Sequence, residues 1–359
     1  MIPFGIHWEN RKYAYTQEGD KHLLTVKAQV LMRESQTARG ILNYLPPNLR
    51  GLLEGLPDSA WCHMEEVRLR VNRPIMINLP GRELLLDGRG QVVSNLADAY
   101  SVSADDLVRT LQLVTGSSLY AVEEELRAGY VTVSGGHRVG VVGRTVMDGD
   151  RIQTLKQFTA LNLRISREVT GAADSLMPYL LDRKRVRHTL IVSPPGCGKT
   201  TILRDVARQV SNGIPALGFP GITVGLVDER SELAGCYRGI PQRDVGPRTD
   251  VLDACPKALG MLIMLRAMAP QVIVSDEIGR TEDVSALEEV INAGVAIIST
   301  AHAASLEELM HRPVLRNILS IRVFERLVML GRSKGPGTVE KIVNGRTMQV
   351  ISNGDCGGA

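Results

Sequence analysis

Residues 188–203 read HTLIVSPPGCGKTTIL, an apolar run, a short loop carrying Gly196 and Gly198, then Lys199, Thr200 and Thr201 at the start of a helical pattern. No other stretch constrains the fold as tightly. The apolar run is unbroken, which predicts a strand buried on both faces. Ile202, Leu203, Val206 and Val210 follow at helical spacing. Between them, two glycines let backbone N–H groups wrap an anion with no Cβ in the way. The helix N-terminus adds its positive dipole end. The expected ligand is the phosphate chain of a nucleotide, cradled by Ser193, Pro194, Pro195, Gly196, Cys197, Gly198, Lys199, Thr200 and Thr201. Lys199 is expected to reach the β and γ phosphates, and the Thr200 hydroxyl to ligate Mg²⁺. Ser193 stands where the G-x-x-x-x-G-K-[ST] pattern has its first glycine.

The surroundings support a sheet of a particular kind. From residue 188 onward, short apolar strands at 188–192, 222–227, 271–275 and 295–300 alternate with helices at 198–211, 257–269 and 283–292. That alternation predicts a mostly parallel sheet covered on both faces. The fold class expected is α/β, a RecA-like P-loop NTPase core over 171–338, preceded by a smaller α+β domain over 41–170. In that domain, residues 66–71 (EVRLRV) alternate as a strand, 102–113 form a helix behind a Ser103 cap, and 130–142 make a hairpin about Gly135-Gly136. Gly171, Pro178 and a basic run mark 170–184 as the linker. Residues 339–359 read as a closing hairpin on Asn344-Gly345 and a flexible tail, while 1–40 form an extension with no assignable role.

Three strand ends carry acid or histidine chemistry. The run QVIVSDEIGR ends a strand with Asp276 and Glu277, one acid for the Mg²⁺ shell and the next to deprotonate the attacking water. We assign Asp276 to the metal and Glu277 to the base. VGLVDERSE places Asp228, Glu229 and Glu232 at a second strand end, and IISTAHAAS places Thr300 and His302 at a third. Thr300 and His302 are suited to sensing the γ-phosphate, although a single histidine is more often structural.

Together these motifs resemble the type II and type IV secretion ATPases. More closely, GYVTVSGGHRVGVVGR, LNLRISREV, VDERSE and DVGPRTDVLDACPKALGMLIMLRAMAP are similar to the stage III sporulation protein AA family over residues 40–335. The resemblance makes Glu277 the catalytic acid of the second acidic strand, Asp228 and Glu229 an intermediate acidic box, and His302 a histidine box. It implies a hexameric ATP-hydrolysing motor on the cytoplasmic face of a membrane. The motor would power or assemble, with integral membrane proteins, a channel between mother cell and forespore during endospore formation. The chain departs from secretion ATPases at Ser193 and at Asp276, where they carry glycine.

Ring ATPases complete their sites with an arginine from the neighbouring subunit. Arg138, Arg144, Arg164 and Arg167 are the candidates here, with Arg138 and Arg164 foremost; a solvated basic face, or contact with nucleic acid or lipid headgroups, is the plainer reading. Arg248 and Arg266 flank the core helix as possible interface residues.

Composition narrows the partners. A net charge of +3 and 4% aromatic residues argue against a nucleic-acid translocase, which remains one alternative on the same core. The other is a nucleotide-dependent switch or scaffold with little turnover, against which Glu277 speaks. Five cysteines without paired metal spacing point to a reducing, cytoplasmic location. The longest apolar stretch, 290–305, is broken by Asn292, Ser299, Thr300 and His302, so a membrane role would be peripheral, on the inner face.

Overall fold

The computed structural model describes residues 35–354. The expectations for residues 1–34 and for the tail beyond 354 lie outside the described residues. The chain folds as two compact units, one formed by residues up to Ser118 with Val142–Arg144 and Lys156–Arg167, the other by Leu119–Val141, Thr145–Leu155 and the chain from Glu168 on. It passes between them along two long strands, β6 (His137–Asp148) and β7 (Arg151–Arg164).

In the first unit β1 (Glu66–Arg70), β2 (Met76–Leu79), β3 (Arg82–Leu86) and β4 (Val92–Val93) form an antiparallel meander, and β1 also pairs antiparallel with the end of β7. The alternation in β1 does what its period demands, since Val67 and Leu69 are fully buried. Helices α1 (Pro47–Glu54), α2 (Asp58–His63) and α3 (Ala104–Val114) contribute Leu49, Leu53, Trp61 and Leu107 to the buried set. Ser103 caps α3 in a reciprocal box with Asp106, which satisfies two otherwise orphaned donors.

The second unit begins with α4 (Glu123–Arg127) and the hairpin of β5 (Tyr130–Val133) with β6, turning on Gly135-Gly136. The sequence pattern grouped this hairpin with residues 41–170. Its Tyr130 hydroxyl and Gly135 N–H instead bond the Arg230 carbonyl and the Gln242 side chain of the second unit. The segment read as a linker is also core. It forms α5 (Met177–Leu180), β8 (Leu181–Asp182) and β9 (Arg185–Val186), and Ala173, Leu176, Met177 and Leu180 are at most 1% exposed. Gly171 and Pro178 mark a turn and a helix start within the core.

The rest is an eight-stranded sheet in the order β12-β11-β13-β14-β10-β15-β16-β17. The six strands β10 (Thr189–Ser193), β11 (Val224–Asp228), β12 (Thr249–Asp253), β13 (Val272–Ser275), β14 (Ala296–His302) and β15 (Arg326–Gly331) are parallel. The closing hairpin, β16 (Thr338–Asn344) and β17 (Val350–Asn353), extends the same sheet antiparallel. Successive side chains of one strand feed opposite cores. Ile191 packs with Ile202, Leu203 and Val206 of α6 (Lys199–Asn212), whereas Leu190 and Val192 face the layer of α7 (Lys257–Met268), α8 (Thr281–Asn292), α9 (Leu306–His311) and α10 (Pro313–Ser320). Each such side chain contributes about 1.5–3 kcal/mol when fully buried. Burial on both faces explains why these strands read as unbroken apolar runs. Their carboxyl ends converge on one edge, where open parallel sheets hold ligands.

Candidate functional site

β10 delivers the fully buried Ser193 to this edge, and α6 leaves from it. Gly196 and Gly198 have φ of +70° and +81°, a region that costs other residues strain, and Gly198 is the N-cap of α6. Lys199 is 8% exposed. Its ammonium lies within hydrogen-bond reach of the Ser193 carbonyl (3.0 Å), the Ser193 hydroxyl (3.1 Å) and the Pro194 carbonyl (3.1 Å), and shares its three protons among these and His302. The serine at the first motif position thus gives the lysine an extra acceptor. Burial pushes the Lys199 ammonium below its usual range, with the Glu277 charge working the other way. On the outer side of the loop, Arg332 donates to the Gly196 carbonyl at 2.8 Å and the Gly337 N–H to that of Cys197 at 2.9 Å.

Pro195, Gly196, Gly198, Lys199, Thr200 and Thr201 form one wall of a cleft of about 370 Å³. Arg230, Glu232, Asp276, Glu277, Thr300, His302 and Pro336 line the same cleft. The structure therefore brings the phosphate-loop residues, Asp276, Glu277 and His302 together. Asp276 is 8% exposed and its Oδ1 has no hydrogen-bond partner. Burial pushes its carboxyl up to about 7, against the pull of the Lys257 charge. A buried carboxyl oxygen left unpaired, in a cleft that Thr200 also lines, is chemistry that suits a hard divalent cation.

Glu277 sits at φ +20°, outside ordinary space for a residue with a side chain, and two bonds hold it there. Its N–H donates to Thr300 Oγ1 (2.9 Å) and its carbonyl accepts from Lys257 Nζ (2.6 Å). Lys257 in turn pairs with Glu229 at 2.8 Å. His302 bridges the cleft, with Nδ1 2.9 Å from Lys199 Nζ and Nε2 3.4 Å from Glu277 Oε2. An ammonium has only donors, so Nδ1 accepts and the ring proton sits on Nε2, facing the carboxylate.

The acidic box departs from expectation. Asp228 and Glu229 are not among the residues lining the cleft. Asp228 is fully buried, and its two oxygens accept the N–H groups of Glu232 and Ala234 at 2.8 Å each. Burial raises its carboxyl pKa, and those bonds oppose the rise. Glu229 is taken up by Lys257 and Arg280. Both acids shape the loop after β11 through these contacts. From α6, Arg204 donates to the carbonyls of Leu233 (2.5 Å) and Glu232 (2.6 Å), holding the same loop. What that loop presents to the cleft is Arg230, whose Nη1 lies 3.6 Å from Glu277 Oε2. Sequence reasoning passed over Arg230, although it stands inside VDERSE.

The arginines proposed to act on a neighbour divide. Arg138 is engaged within its own chain, paired with Glu232 at 2.8 Å, donating to the Arg230 carbonyl and lying 4.1 Å over the Tyr130 ring. Arg167 donates to the carbonyls of Trp61, Cys62 and Met64, the open C-terminal end of α2. These bonds give both arginines a structural task within their own chain. Arg144 and Arg164 are exposed on the first unit, where Arg164 borders a surface pocket with His63, Glu65 and Glu66. Arg248 donates to the Ser211 carbonyl, and Arg266 makes an exposed pair with Glu289.

The chain can now be compared with known proteins. The family model "Sporulation stage III, protein AA" matches residues 35–350. Stage III sporulation protein AA of Bacillus subtilis (strain 168) is 44% identical over 302 residues, 84% of this chain and 94% of that protein. Among solved structures, the Legionella pneumophila ATPase DotB is similar, with a TM-score of 0.49 and 15% identity over 74% of this chain and 72% of that one. The pilus retraction motor PilT with bound ADP has a TM-score of 0.47 and 14% identity over 74% of each chain. The match across nearly the whole described chain places this protein in the family of sporulation stage III protein AA.

Proposed function

We propose that the chain is a Mg²⁺-dependent ATPase on a RecA-like P-loop core, and that its turnover powers or assembles a membrane channel during endospore formation. The observation that carries the ATPase reading is the line Lys199–His302–Glu277 across a cleft walled by a glycine loop at a helix N-terminus. ATP is the expected substrate. The loop N–H groups and Lys199 would hold its phosphates, and the first turn of α6 would add its dipole.

Thr200 and the unpaired Oδ1 of Asp276 are the groups that would hold Mg²⁺, which when bound draws charge from the phosphate oxygens. Glu277 would take the proton of the attacking water, oriented by the His302 N–H and by Thr300 at its backbone. Lys199 is already stripped of much of its water by burial, so its charge acts on phosphate through a low dielectric.

Family membership supports a place in sporulation. Assembly as a hexamer and work with integral membrane proteins at the cytoplasmic face extend that reading. Among the described residues no helix is long and apolar enough to cross a membrane, so such a channel would be built by partners. The test replaces the chromosomal copy in the encoding organism with Glu277→Gln. Spore formation is expected to fall as it does on deletion, at an unchanged protein level. Normal sporulation would contradict the role of turnover.

A further inference from the structure

Of the residues lining the cleft, two are cations, Lys199 and Arg230. Their environments are opposite. Lys199 is buried and bonded to loop oxygens. The Arg230 side chain is 60% exposed and makes a loose ion pair with Glu277 at 3.6 Å. It also borders the adjoining cavity of about 380 Å³, which Lys257, Arg280 and Arg312 line as well. Arg230 therefore stands with Glu277 and His302 in the wall shared by the two spaces. The other cations lining the adjoining cavity pair with carboxylates too, Lys257 with Glu229 at 2.8 Å, Arg312 with Glu308 at 2.6 Å and Arg280 with Glu229 at 3.4 Å.

The root of Arg230 is fixed where its head is loosely held. Its carbonyl accepts from the Arg138 guanidinium and from the Tyr130 hydroxyl at 3.1 Å. Asp228 and Arg204 clamp the residues that follow. A fixed backbone carrying a loosely held guanidinium beside the base suits a group that exchanges one anion for another.

We propose that Arg230 supplies, from within the same chain, the guanidinium that meets the terminal phosphoryl group during hydrolysis, leaving Glu277 as it does so. The proposal deepens the ATPase reading and rests on it. In the step itself the water oxygen bonds the terminal phosphorus. The bond from that phosphorus to the bridging oxygen breaks, its electron pair leaves with ADP, and the water proton passes to Glu277. Negative charge spreads over the phosphoryl oxygens in the transition state, and a planar fork of donors stabilises it there. While paired with Arg230, Glu277 Oε2 has the guanidinium as its neighbour. Exchange of partners releases it when substrate is in place. Arg138 and Tyr130 are positioning residues in this arrangement, which gives Arg138 a role within its own subunit.

The test compares wild type, Arg230→Ala and Arg230→Lys for kcat, MgADP affinity, melting temperature and trapping of MgADP by aluminium fluoride. Arg230→Ala is expected to lower kcat by about 10²–10³-fold and abolish trapping, while MgADP affinity stays within about threefold. Arg230→Lys, which keeps the charge without the fork, should recover part of the rate at an unchanged melting temperature, and it decides the matter should the alanine variant fail to fold. Wild-type turnover and trapping by either variant would overturn the proposal, as would a loss of MgADP affinity in step with the loss of rate. Mixing Arg230→Ala with Glu277→Gln should restore nothing, and restored hydrolysis would mean that the arginine acts across subunits. Wild type that neither hydrolyses nor traps while binding MgADP would defeat the ATPase reading and this proposal with it.

Discussion

His302 Nδ1 lies 2.9 Å from the Lys199 ammonium, and the same ring turns its Nε2 toward Glu277 at 3.4 Å. One imidazole thus joins the phosphate-binding cation to the acid assigned to water. The ammonium can only donate, which makes Nδ1 the accepting nitrogen of this contact. Replacement of His302 by Phe keeps the bulk and removes both contacts. We expect kcat to fall by about 10²-fold through misplacement of Glu277, with KM changed far less. Steady-state kinetics over a range of ATP concentrations checks this, and a change confined to KM would assign His302 to binding.

Gly196 combines φ +70° with a close neighbour, because a Cβ there would lie 2.4 Å from Arg332 Nη2. Gly196→Ala should cost about 1–2 kcal/mol from backbone conformation, read by denaturant unfolding, and weaken nucleotide binding by about tenfold or more. In the double variant with Arg332→Ala the contact is relieved and the backbone term remains. Recovery should therefore be partial.

Arg138→Ala removes the pair with Glu232 and the bond to the Arg230 carbonyl. Hydrolysis should drop by about tenfold or more as Arg230 loses its anchor, with nucleotide affinity retained. Adding a Glu277→Gln protein with an intact Arg138 should not rescue it. Rescue would show that Arg138 works on a neighbour.

Glu325 accepts both arms of Arg185 at 2.9 Å. Burial works to raise its carboxyl, but the Arg185 bonds and charge outweigh that and hold it below the usual 4.5. The native state then binds fewer protons than the unfolded chain in this range. The stabilisation is complete above pH 4.5 and is lost as pH falls through the lower folded value. Glu325→Gln should cost about 1 kcal/mol at neutral pH, since the exposed Arg185 partner is screened. The difference in melting temperature from wild type should shrink on acidification. A constant gap would contradict the assignment.

The central strands and α6 were legible because burial on both faces leaves an unbroken apolar run, and because glycine at positive φ and a helix start occur together only in few loops. β12 was missed. Thr249, Asp250 and Asp253 make this edge strand polar, and its pairing to β11 is a long-range fact that no local period records. The segment 170–184 looked like a linker because Gly171, Pro178 and its basic residues masked four buried apolar side chains. At the site, Asp276, Glu277 and His302 could be placed from their strand ends. Arg230 could not, since its position depends on how Asp228, Arg204 and Arg138 fold the loop that carries it.

The most direct measurement is steady-state ATP hydrolysis by the purified protein across a range of protein concentrations, beside Glu277→Gln and Lys199→Ala. The account predicts Mg²⁺-dependent turnover that climbs with concentration in the wild type and is absent in both variants, with Glu277→Gln still binding nucleotide. Hydrolysis by Glu277→Gln at the wild-type rate would contradict it.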